Sequence, residues 1–198
     1  MKINWKSLNP RCWVELSSPV TLGIAGLSLV VLVLGTLTGG ASNRTLFSVY
    51  RASWADPLSY LRVFLHIFGH ADFAHYTGNM GMVLVLGPLV ERHCGARRYA
   101  LMVLAAALVT GLVHILISPG TASMGASGIV FMLIFLSAVS GREGGGKVPL
   151  TLILVAVIYL GREISAGLFT RDNISQLAHI SGAVCGAVFG MAFRSRQQ

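Results

Sequence analysis

Ser127 in "MGASGIVF" carries a hydroxyl into a run of residues that are otherwise small or apolar. A serine hydroxyl becomes an effective nucleophile once a base removes its proton, and a histidine imidazole is the commonest base. His179, in "AHISGAVCG", is the candidate for that role. Acyl transfer also needs hydrogen-bond donors for the oxyanion of its tetrahedral intermediate. His75 and Asn79, in "HADFAHYTGN", stand at i and i+4, so on a helix both side chains leave the same face. With the backbone N–H of Ser127 they make a candidate oxyanion hole. No Asp or Glu lies at their level, so the chemistry expected is that of a Ser127–His179 dyad without a third member. The plainer alternative is a serine that only lets two helices approach.

Positioning these groups is a task for membrane helices. Of 198 residues, 54% are hydrophobic and 11% charged, with mean hydropathy +0.71. Soluble domains carry roughly 25% charged residues. The apolar runs are continuous and lack the two-residue alternation of barrel strands, so each must satisfy its backbone as a helix. The fold expected is an all-α polytopic membrane protein with six transmembrane helices in one domain over residues 1–198. The spans fall at about 20–38, 73–90, 99–117, 122–139, 148–168 and 174–193, after a cytoplasmic N-terminal segment at 1–19. The first is longer than the usual 7–15-residue core of a signal peptide and is read as an uncleaved helix. Between the first two, "SYLRVFLHIFGH" suits an interfacial helix. The span at 148–168 is the weakest, because Arg162 and Glu163 interrupt it.

Basic residues set the orientation. Lys2, Lys6, Arg11, Arg92, Arg97, Arg98, Arg142, Lys147, Arg194 and Arg196 fall on one side, against Arg44, Arg51, Arg62 and Arg171 on the other. The positive-inside rule then places both termini in the cytoplasm. Counting 1.5 Å per residue from the inner helix ends puts Ser127, His179, His75 and Asn79 at ~20–25 Å, one level in the outer part of a core ~30 Å thick. Polar groups at such depth are functional candidates. Gly182, Gly186 and Gly190 offer a smooth helix face to a neighbour passing at Gly128, which would carry His179 towards Ser127.

Other chemistries fit less well. The net charge of +8 reflects basic residues flanking apolar runs and calls for no nucleic acid. Cys12, Cys94 and Cys185 form neither a disulfide pattern nor a metal spacing. His66, His70 and His75 lack a cysteine or carboxylate to complete a tetrahedral site, so neither metal nor cofactor is expected. His70 is expected to brace the loop or the oxyanion donors, and His114 to bond a neighbouring helix. Buried histidines also mark proton relays, but there is no inverted repeat or chain of carboxylates to support a transporter or channel.

"GASG" around Ser127, "HADFAHYTGN" with His70, His75 and Asn79, and "AHISGAVCG" with His179 resemble the rhomboid intramembrane serine proteases. The likeness runs from about Arg62 to Phe193 with the order of the motifs kept. It implies a six-helix core, Ser127 as nucleophile, His179 as general base, and an oxyanion hole of His75, Asn79 and the Ser127 amide, supported by Gly125. It further implies transmembrane protein substrates, a lipid bilayer as medium, and a site open to the outer side. A compact basic chain of this kind suits a bacterial plasma (inner) membrane. The fifth helix and the loop after it, around residues 168–173, resemble the family's mobile gate and cap. Two positions depart from the pattern. Leu61-Arg62 replaces the family's Trp-Arg pair, leaving open whether Arg62 meets Glu91. Phe131 replaces a tyrosine that packs on the histidine; it keeps the stacking face and loses the hydroxyl. Rhomboid-like chaperones without activity are the main competing reading, although they typically lack the serine or the histidine.

Overall fold

The computed structural model describes residues 17–53, 55–118, 120–140, 150–161 apart from 152, 156 and 160, and 173–194. The expected N-terminal segment before residue 17, the "GREGGGK" turn, Arg162 with Glu163, and the loop up to residue 172 lie outside the described residues. The elements are α1 (Pro19–Leu37), α2 (Ala41–Thr45), α3 (Leu58–Leu65) running into a 3-10 turn at His66–Phe68, α4 (Phe73–Cys94), α5 (Ala96–Ile117), α6 (Ser127–Ser140), α7 (helical residues between 150 and 161) and α8 (Asn173–Arg194).

Helix ends show how the chain is pinned. Pro19 opens α1, where its fixed φ suits the first turn and its missing N–H costs nothing. The next two N–H groups, of Val20 and Thr21, donate to the Glu91 carboxylate at 2.9 Å, and the Thr21 hydroxyl adds a third bond at 2.8 Å. Glu91 near the end of α4 thus caps α1, and its negative charge suits a helix N-terminus. Asp72 caps α4, its carboxylate accepting from the N–H of His75 at 2.7 Å. Gly95, at φ +82, turns the chain from α4 straight into α5.

α6 is apolar all round and forms the centre. Ile129, Val130, Met132 and Leu133 are all fully buried. α8 lies along α6. A Cβ at Gly182 would collide with the carbonyl of Gly128, and one at Gly186 with the carbonyl of Met132. α1 packs on α4, and α3 on α5, where Gly111 admits the Val63 backbone.

The exterior is inverted relative to a soluble protein. Leu27, Val30, Val85 and Leu116 are half or more exposed, while Ser28, Thr110, His114 and Glu91 are buried. Lipid rewards this arrangement, since it offers a polar side chain no hydrogen-bond partner. Among the described residues, α1 and α5 are long and apolar enough to cross a membrane by themselves.

Two expectations need adjusting, and one open question has an answer. The helix expected from residue 122 begins at Ser127. Residues before it form a loop, held by an antiparallel bridge between Val49 and Ser123 and turned by Gly125 at φ +128. Ala122, Met124 and Ala126 are apolar enough to extend a span, but hydropathy does not mark the residue at which a helix begins. His114 bonds the carbonyl of Thr121 in this loop at 3.0 Å instead of a neighbouring helix. Arg62 and Glu91 have separate partners. Arg62 donates to Asp56 at 2.8 Å and to the Thr45 carbonyl at 2.8 Å, and its guanidinium lies 4.6 Å from the Tyr50 ring centroid.

Candidate active site

Starting α6 at Ser127 has a chemical consequence. The first N–H groups of a helix have no intrahelical partner, and they carry the positive end of its dipole. The first bond closing α6 runs from Val130 N–H to the Ala126 carbonyl at 3.0 Å, which leaves the Ser127 amide ahead of the ladder. Ser127 is itself half-buried.

Gly125 brings α4 to this point. Its N–H donates to the His66 carbonyl at 2.9 Å, and a Cβ built on it would lie 2.8 Å from His75 Nε2 and 3.6 Å from Asn79 Nδ2. Both candidate donors therefore converge on the backbone two residues before Ser127. His75 Nδ1 accepts a long bond, 3.5 Å, from the Ala71 N–H. In the tautomer that makes this bond, Nε2 carries the proton and faces Gly125.

Asn79 is 2% exposed, and its two amide atoms have different fates. Oδ1 accepts from the Tyr159 hydroxyl of α7 at 2.8 Å, while Nδ2 is buried without a hydrogen-bond partner. A buried amide N–H left unpaired is costly, and such groups in folded proteins call for a reason. A ligand acceptor next to Gly125 would supply one.

His179 reaches the site from α8. Its ring stacks on Phe131 with centroids 4.5 Å apart and planes at 16°, and the pair is buried. Gly182, one turn on, lets α8 sit against Gly128, the residue after Ser127. Tyr159 meets the other side of this cluster, 5.5 Å from Phe131 in an edge arrangement.

His70 is fully buried beneath these groups. Its Nδ1 bonds the Phe68 carbonyl at 3.1 Å, its ring lies edge-on to His75 at 5.0 Å, and its carbonyl accepts from Asn43 at 3.1 Å. Among the described residues, no three His, Cys, Asp or Glu side chains gather as metal ligands. Sequence reasoning passed over Tyr159 and Asp72. The one signal for Tyr159 is that a tyrosine hydroxyl within an apolar span must find a partner, which does not say where that partner lies.

An apolar exterior around buried polar groups defines a polytopic membrane protein, and the rhomboid domain matches residues 57–196: the chain belongs to the rhomboid family. Among its relatives is the Rhomboid protease GlpG of Serratia proteamaculans, 31% identical over 186 residues, covering 89% of this chain and 63% of that protein. The GlpG of Pectobacterium atrosepticum is 28% identical over 182 residues, with the same shares. Rhomboid-related protein 1 of Caenorhabditis elegans is 32% identical over 133 residues, 63% of this chain and 37% of that protein. The chain thus spans less than two thirds of the length of these relatives.

Proposed function

We propose that the protein is an intramembrane serine endopeptidase that cuts membrane-anchored proteins in or near a transmembrane segment. The observation carrying this is the convergence of His75 Nε2 and the unpartnered Asn79 Nδ2 on Gly125, two residues before Ser127 at the start of α6. Two of the relatives are named rhomboid proteases.

In this mechanism His179 takes the proton of the Ser127 hydroxyl as Oγ attacks the scissile carbonyl. The oxyanion is held by N–H donors from Ser127, His75 and Asn79. His179 passes its proton to the departing amine, the C–N bond breaks, and an acyl-enzyme remains. Water then loses a proton to His179, attacks the ester, and releases the carboxylate as Ser127 regains its proton. Phe131 fixes the imidazole plane by stacking, which replaces the orientation a third triad member would provide. The six spans, with both termini cytoplasmic in a bacterial plasma membrane and the site facing outwards, belong to the same proposal.

A fluorophosphonate probe tests it on purified protein. Wild type should label, and Ser127→Ala and His179→Ala should not; cleavage of a model single-span substrate should disappear in parallel. An unlabelled, inactive wild type would identify an inactive member of the family and overturn the proposal.

A further inference from the structure

The oxyanion donor Asn79 has its own support in the structure, on a helix outside the catalytic motifs. A carboxamide can rotate about its last bond and present either oxygen or nitrogen to a site. Here one orientation is present. Tyr159 donates to Oδ1 at 2.8 Å, so the carbonyl end faces α7 and the NH₂ end faces Gly125. The reversed amide would bring an oxygen towards the oxyanion, where like charge would oppose the transition state. Tyr159 is held in turn by the edge contact with Phe131, whose face carries His179. One residue of α7 thereby touches both halves of the machinery: the amide that binds the oxyanion and the ring that stacks on the base.

We propose that Tyr159 is a positioning residue for catalysis, selecting the rotamer of Asn79 in which Nδ2 points into the oxyanion hole. It never touches the substrate carbonyl; it acts through Asn79. The transition state gains from this bond more than the bound substrate does, so its loss reaches kcat before KM. It also makes the site depend on α7. Any displacement of α7 that breaks the 2.8 Å bond leaves the Asn79 amide free to turn.

This inference rests on the protease proposal, and the test separates the two. Steady-state cleavage of a fluorogenic single-span substrate in liposomes is measured for wild type, Tyr159→Phe, Asn79→Ala and the double variant. Tyr159→Phe should lower kcat by on the order of 10-fold, with KM within about 2-fold, since misplacement of a catalytic group by 1 Å can cost 10²-fold. In the Asn79→Ala background the same change should have no further effect, because the group being positioned is gone. Tyr159→Leu, which also removes the ring contact with Phe131, should lower thermal stability as well, whereas Tyr159→Phe should melt with the wild type. An unchanged kcat in Tyr159→Phe, or losses that multiply in the double variant, would overturn the assignment to Tyr159 while leaving the protease intact. A wild type that neither cleaves nor labels would overturn both.

Discussion

A methyl group on Gly125 would lie 2.8 Å from Nε2 of His75, on a backbone at φ +128 that side chains rarely adopt. Strain of this kind costs about 1–3 kcal/mol, and the local way to relieve it is to move the loop away from His75 and Asn79. Gly125→Ala should therefore fold with a lowered melting temperature and react with a fluorophosphonate on the order of 10²-fold more slowly. Asp56 makes a different prediction. Its hydrogen bond from Arg62 holds the carboxyl below the usual carboxylate range. A group whose pKa is lowered by folding stabilises the fold above its ordinary pKa of about 4 and loses that contribution as pH falls through the lowered value. Melting curves of wild type and Asp56→Asn should differ at neutral pH and converge as the solution becomes acidic enough to protonate Asp56. The gap should be small and shrink in salt, because the Asp56 side chain is 33% exposed. At this scale, residue type and spacing make Ser127, His179, His75 and Asn79 recognisable as candidates without a structure. Tyr159 escapes such recognition because its partner lies 80 positions away.

Helices α6 and α8 meet through backbone atoms, and glycine is what permits it. The Cα of Gly182 faces the Gly128 carbonyl, and that of Gly186 faces the Met132 carbonyl. Adding a side chain here forces the helices apart, at about 1–3 kcal/mol for an overpacked contact. Gly186→Val should lower the melting temperature in detergent. Gly182→Ala, whose added atom presses on the residue next to Ser127, should lower probe reactivity by a larger factor than its effect on melting accounts for. Equal reactivity per folded molecule would show the contact to be structural alone. The glycine spacing on α8 is visible in the sequence, but its partner on α6 is a set of carbonyl oxygens, which leave no mark in residue identity. The start of α6 was hidden for a related reason. Apolar side chains continue upstream of Ser127, and only the bridge to Val49 and the turn at Gly125 stop the helix there.

For the whole molecule, the distribution of Lys and Arg predicts that both termini share the cytoplasmic face. A reporter fused after Gln198 that is active only in the cytoplasm should be active, and one active only outside should be silent; the opposite pattern would reverse the proposed direction of the site. Composition and spacing are enough to establish a helical membrane protein and the residues suited to serine chemistry, since hydropathy and motif order are properties of the linear chain. Where α6 begins, which end of the Asn79 amide faces Gly125, and how Glu91 and Arg62 find separate partners are decided by the folded arrangement. Each depends on a contact between distant segments or on a backbone angle, and neither is encoded in any local run of residues.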